Sequence, residues 1–310
     1  MSARQHKGSV VNGLLLLDKP LGLTSNAALQ QVKRIFNARK AGHTGSLDPL
    51  ATGMLPLCFG EATKFTQFLL DADKSYETTA TLGVITDSGD AEGQVIERRE
   101  VVEISSEKLS AILEKFRGAQ LQVPSMFSAI KQKGRPLYEL ARQGISVVRE
   151  PRAITIYNLA MTHFSGDELS LSVRCSKGTY IRSLVEDIGL ALGCGAHVSA
   201  LRRTEVAHFS QDTMVSLEHL RALFEKNNVD ELHQFLLPID ALLDALPEVH
   251  LNEQAALSLM KGQAVTVESA GLGQKSGEHR LYDHEGRFIG VGVLEDDALR
   301  AKRLINTVLI

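Results

Sequence analysis

The stretch Gly42-His43-Thr44-Gly45-Ser46-Leu47-Asp48-Pro49-Leu50-Ala51-Thr52-Gly53 looks least like ordinary scaffold. Asp48 stands before a proline, which drives its backbone towards extended geometry. A carboxylate displayed on a constrained loop is a candidate nucleophile, provided that it is ionised. The same dipeptide also describes an Asp-Pro turn whose side chain bonds nearby amides. Spacing alone leaves both readings open.

Six other side chains carry a chemical and a plain reading side by side. Tyr76 opens a threonine-rich strand and offers either a phenol or an edge-strand contact. Arg182 offers a cation near the start of a helix or a solvated surface residue. His43 adjoins the loop, Lys19 follows an apolar strand, Tyr180 begins a helix, and Leu201 sits in a late apolar block. Taken singly, these four suit a structural histidine, a solvated turn, an inward-packed aromatic and a core leucine.

Much chemistry lacks its usual motif. There is no G-x-G-x-x-G after a strand, no P-loop lysine, no G-x-S-x-G elbow and no base-deaminase zinc pattern. Cys58, Cys175 and Cys194 are far apart, without a Cys-x-x-Cys, and suit reduced thiols rather than disulfides. No histidine pair has metal-ligand spacing. Any reaction here is expected to use ordinary side chains, with no cofactor and no metal.

The elements that position these residues follow from periodicity. With 310 residues, 44% hydrophobic and 23% charged, the chain has room for a sizeable core and for two domains. Leu14 to Leu17 reads as a buried strand entering the Asp18-Lys19-Pro20 turn. Its apolar run is too short for a signal peptide or membrane span, so a cytoplasmic protein is expected. Residues 26–37 read as an amphipathic helix, 41–60 as mostly loop, and 61–70 as helix. Strands are expected at 76–84, 154–159 and 169–175. Helices are expected from Ser106, over 136–142, and from a Thr179 cap to Gly193. The mixture lacks a repeating βαβ rhythm, which favours α+β. After a junction at 238–247, a helix ending near Gly262 and short strands at 264–267, 280–283 and 288–294 read as a small β module. About 60 residues is near the lower limit for an independent core, so this module is expected to pack on the first domain, giving a division into 1–247 and 248–310.

The net charge is -3. Basic groups nevertheless cluster at Lys33, Arg34, Arg39 and Lys40, at Lys131, Lys133 and Arg135, and at Arg202-Arg203. Each cluster is either a solvated face or a phosphate-facing patch.

Five ordered blocks over about 200 residues resemble the bacterial tRNA pseudouridine-55 synthases, the TruB family. They are Asp18-Lys19-Pro20 with Thr24-Ser25; the Gly42–Gly53 loop; Ser128-Ala129-Ile130-Lys131 with Gly134, Tyr138, Ala141 and Arg142; Lys177-Gly178-Thr179-Tyr180-Ile181-Arg182; and Gly195-Ala196-His197-Val198 with Leu201-Arg202-Arg203-Thr204. Phe127 and Ser125 depart from the family's usual tyrosine and proline. The resemblance implies a pseudouridine-synthase fold: a central, mainly antiparallel sheet flanked by helices, plus a C-terminal PUA-like RNA-binding module. It implies that Asp48 is the nucleophile, that Arg182 pairs with it, and that Tyr76 stacks on an extruded uracil close enough for proton transfer. Tyr180 and Leu201 would line the base pocket. His43 would fill space left by flipped nucleotides, and Lys19 would touch phosphate or support the loop. The substrate would be uridine 55 in the T arm of tRNA, with no membrane and no obligatory protein partner. Whether Asp48 attacks C6 of the base or C1′ of the ribose stays open. Two rivals are a non-catalytic helper that holds and refolds the T arm, and a synthase acting on another RNA within a guide-RNA assembly.

Overall fold

The computed structural model describes residues 8–266 and 276–306. The architecture is α+β. Among the described residues, a nine-stranded sheet runs in the order Val215–Ser216, Gly13–Lys19, Ala51–Phe59, Ala196–Val206, Lys74–Leu82, Glu168–Cys175, Arg152–Ser165 and Gly118–Gln122, with Ala41–His43 paired to Ala51–Phe59. All pairings are antiparallel except those of Val215–Ser216 with Gly13–Lys19 and of Ala196–Val206 with Ala51–Phe59.

The largest departure from the sequence reading lies at 41–60. Residues Ala51–Phe59 are a nine-residue strand at the heart of the sheet, and only 44–50 form the loop. This strand is covered on both faces. Leu55, Leu57 and Phe59 join one apolar cluster, whereas Met54 and Cys58 join another. A strand buried on both sides shows no polar alternation, and Gly53 and Pro56 masked it further by reading as breakers. Gly53 has φ +94°, and a Cβ there would lie 2.2 Å from the Arg203 carbonyl oxygen. Leu14 to Leu17 behave in the same way: Leu15 and Leu17 face the first cluster, Leu14 and Leu16 the second. Each such leucine contributes about 1.5–3 kcal/mol by leaving water.

The first cluster lies between the sheet and helices Ser25–Ile35, Ser106–Lys115, Ile181–Leu192 and Leu217–Glu225. Helix Ser25–Ile35 is capped by the Thr24 hydroxyl, which accepts from Ala27 N–H at 3.1 Å. Gly193 ends Ile181–Leu192 in the left-handed region, as a glycine there can. Thr179 does not cap that helix, because its hydroxyl donates to Ser176 O at 2.9 Å. The expected helix 61–70 is split into a 3-10 turn, Gly60–Lys64, and helix Thr66–Asp71, with Phe65 buried at the break.

The C-terminal sheet runs Glu248–His250, Gly277–Tyr282, Phe288–Glu295, Ala298–Leu304 and Val265–Thr266 among the described residues. Residue 267, the end of the expected 264–267 strand, lies outside them. Ala298–Leu304 escaped the sequence reading because Arg300, Lys302 and Arg303 leave it exposed and charged. The module has its own apolar cluster, including Leu251, Leu259, Leu281 and Leu299. It is joined to the larger sheet by Val291 and Ile305 packed with Met54 and Phe65, and by Tyr282 O–H donating to Asp240 at 2.7 Å. No helix among the described residues is long and apolar enough to cross a membrane.

Candidate active site

Loop 44–50 is held by its backbone at nearly every second residue. The buried Ser25 hydroxyl accepts from Leu47 N–H at 2.7 Å and donates to Leu47 O at 3.0 Å. Gly22 N–H donates to Pro49 O at 2.8 Å, and Ala51 N–H to Asp48 O at 3.1 Å. Arg203 donates to Gly45 O at 3.2 Å and to Met54 O at 2.7 Å. These bonds saturate backbone groups that a loop crossing the sheet would otherwise bury unpaired. They also fix the backbone under the Asp48 side chain, which is partly buried.

Arg182, the second residue of helix Ile181–Leu192, approaches from the opposite side. Its Nε lies 3.1 Å from Asp48 Oδ2 and its Nη1 lies 3.4 Å from Asp90 Oδ2. Nη1 donates to Ser88 O at 2.8 Å, and Nη2 to Phe127 O at 2.7 Å. The arginine side chain is only 6% exposed. A rigid guanidinium fork suits this many acceptors in one plane. Burial pushes the Asp48 carboxyl above its ordinary value. Arg182 chiefly pulls it back, Asp90 adds to the rise, and Lys19 lowers it. The site thus holds a desolvated carboxylate whose charge is offset by fixed cations.

Tyr76 lies half-buried on the Lys74–Leu82 strand, opposite Arg203 in register, and the Arg203 guanidinium lowers its pKa against the effect of burial. Burial raises the phenol's pKa, so it stays protonated. Leu201 is buried between Ala51 and Thr78 on the neighbouring strands, beside the end of the loop. Tyr180 occupies the helix N-cap position. Its backbone is clamped by Gln122, whose side chain accepts from Tyr180 N–H at 2.8 Å and donates to Tyr180 O at 3.1 Å. His43 ends the short strand before the loop. Its Nδ1 is buried with no hydrogen-bond partner, and burial, with Arg203 second, lowers its pKa. A neutral imidazole suits stacking better than acid–base work.

Lys19 ends the strand Gly13–Lys19. It is completely buried, and its ammonium donates to Pro20 O at 2.9 Å and Leu23 O at 2.7 Å. These bonds tie down the 20–23 turn, whose Gly22 N–H reaches Pro49 O. Burial brings its pKa down to about 8, against the attraction of Asp48. The basic run Arg202-Arg203 is no patch. Arg202 forms a two-pronged pair with Asp18 at 2.9 and 3.0 Å, and Arg203 is 2% exposed.

Three groups at the site were not singled out from the sequence. Asp90 lies in Thr86-Asp87-Ser88-Gly89-Asp90, which reads as a polar turn and therefore as solvated. In the fold Thr86, Ser88 and Asp90 are all buried. Ser25 reads as a helix-start residue and Arg203 as a charge. Nothing in the linear sequence shows their place at the site, because Ser25 meets Leu47 22 positions away and Arg203 meets Gly45 158 positions away.

The family model for the TruB family pseudouridylate synthase N-terminal domain matches residues 33–181; models for two TruB C-terminal domains match 182–244 and 247–305. A tRNA pseudouridine synthase B from Tolumonas auensis is 55% identical, over 97% of this chain and 94% of that protein. One from Actinobacillus pleuropneumoniae is 51% identical, over 99% and 100%. Among solved structures, a chain of a Cbf5-Nop10-Gar1 complex superposes with a TM-score of 0.74 at 25% identity, over 98% of this chain and 91% of that one. An H/ACA RNP bound to a substrate RNA gives 0.73 at 23% identity, over 98% and 92%, and speaks for the fold alone. The chain belongs to the TruB family of pseudouridine synthases.

Proposed function

We infer that this chain isomerises uridine to pseudouridine in tRNA, at position 55 of the T arm, with Asp48 as nucleophile. The observation that carries the reading is the ion pair between loop-borne Asp48 and buried Arg182 at 3.1 Å. The reaction breaks N1–C1′, turns the uracil and joins C5 to C1′; the proton lost from C5 is matched by one gained at N1. No electron or group donor enters this balance. Asp48 must be ionised to attack, and Arg182 keeps it so despite burial. Tyr76, held protonated, offers a ring face for the extruded base and a phenol within reach of proton transfer. Tyr180 and Leu201 wall the same pocket, and His43 stands where displaced nucleotides need a stacking partner. Lys19 acts from beneath, as a support of the loop.

A base must leave its stack before these groups can reach it, which costs a few kcal/mol that RNA contacts repay. Residues 1–247 would hold the chemistry, and 248–310 would extend the RNA grip. The protein would act in the cytoplasm without a protein partner. Tritium release from tRNA labelled with 5-³H-uridine tests the reading. Wild-type protein should release tritium at a single uridine, whereas Asp48→Asn should bind the same tRNA and release none. Binding by both proteins with release by neither would leave a folding helper as the better account.

A further inference from the structure

Glu186 lies one helical turn after Arg182, so the two side chains share a face of helix Ile181–Leu192. Its carboxylate lies against Gly89. A Cβ at that position would come within 2.8 to 3.1 Å of all three of its carboxyl atoms, and Gly89 has φ +75°. The missing side chain is therefore the notch that admits the carboxylate. Gly89 belongs to the turn that presents Ser88 O and Asp90 to Arg182. The guanidinium of Arg149 donates to Pro124 O at 2.8 Å while its buried Nε has no hydrogen-bond partner. Arg149 and Pro124 close the base of the 123–151 excursion, the same segment that lends Phe127 O to Arg182.

We propose that Glu186 is a positioning residue for the Arg182–Asp48 pair, seating the Gly89 turn so that Ser88 O and Asp90 meet Arg182. This rests on the catalytic reading of Asp48. The groups acting on Glu186 are Arg182 and Asp187 on its own helix, Arg149 from the excursion and Asp90 from the turn. When ionised, its charge helps to offset the two arginines. When protonated, it no longer does so. Burial, opposed first by Arg182, brings its pKa up to about 7. The change therefore falls within the working pH range.

The test is the single-turnover rate at saturating tRNA between about pH 6 and 8.5 for wild type, Glu186→Gln and Glu186→Asp, with tRNA affinity and thermal stability measured alongside. We expect Glu186→Gln to bind tRNA normally and to lose about ten-fold in rate at high pH. At low pH, where the wild-type group is itself neutral, the loss should shrink towards none. Glu186→Asp should recover most of the rate and keep the inflection. A rate loss equal at every pH, or a Glu186→Gln profile of wild-type shape, overturns the proposal. If Glu186→Gln does not fold, a Glu186→Asp profile that has lost the inflection overturns it as well. Asp48→Asn in the same assay separates the two levels: an active Asp48→Asn defeats the parent reading, whereas an inactive one beside an unchanged Glu186→Gln profile defeats this proposal alone.

Discussion

Two segments meet at Arg182 and are built in opposite ways. Loop 44–50 is tied down by Ser25, Gly22, Arg203 and its own Asp48–Ala51 turn. The 123–151 excursion is largely exposed, with Val148 85% exposed and Lys131, Lys133 and Arg135 all at the surface. It reaches the site through one backbone carbonyl, Phe127 O. The first is preorganised, so a nucleophile there loses little freedom when substrate arrives. The second offers charge and apolar surface that RNA can order. Precision and capture are thus divided between two segments, with Arg182 as the shared fastener.

That division is open to attack, beginning with its centre. Asp48→Asn should lower turnover by about 10⁴-fold while leaving tRNA affinity within a factor of two, as read by tritium release and filter binding. The raised pKa of Asp48 also fixes the direction of two pH effects. Activity should fall on acidification at a pH above the ordinary carboxylate range, because the proton returns early. The folded carboxyl also binds its proton more tightly than the unfolded one. Stability should therefore decline as pH rises through that interval, and Asp48→Asn should lack this slope in melting curves.

Arg182→Lys comes next. An ammonium cannot serve Asp48, Asp90, Ser88 O and Phe127 O together, and a loss of about 10²-fold in turnover is expected. Its acid limb should move to still higher pH, since the shorter lysine holds its charge farther from Asp48 and cannot reproduce the guanidinium fork. A limb that stays in place would mean that Arg182 does not set the ionisation of Asp48.

Ser25→Ala removes both bonds to Leu47 without touching substrate. It should cost about ten-fold in turnover and about 1–3 kcal/mol in stability, measured by single-turnover kinetics and denaturant unfolding. Unchanged kinetics would show that the loop does not depend on its clamp. The smallest effect on chemistry belongs to the excursion. Replacing Lys131, Lys133 and Arg135 with alanine should weaken tRNA binding and reduce the salt slope by about 0.7 to 0.9 for each phosphate that is no longer neutralised. The rate at saturating tRNA should remain. A slower rate at saturation would erase the division between the two segments.

The helices were legible because each buries one face. Ser25–Ile35, Ser106–Lys115 and Glu253–Met260 lie close to where periodicity and capping residues put them. Half-buried strands such as Glu168–Cys175 were legible for the same reason. Ala51–Phe59 was not, since two apolar clusters claim its alternate residues and erase the contrast between its faces. Arg203 was misplaced because a charge in a sequence does not show whether it faces water or a set of carbonyl oxygens.

The sequence alone determined the chemical inventory: a carboxylate on a glycine-rich loop, a tyrosine, an arginine, and five blocks in order. These are properties of residue type and spacing, and they pointed to the family and to Asp48. Only the tertiary structure decided which charges meet. Arg182 finds Asp48 across 134 positions of chain, shares itself with Asp90, and takes carbonyls from two further segments. Ion pairing and desolvation depend on distance in space, and distance in space is set by how the sheet brings its strands together.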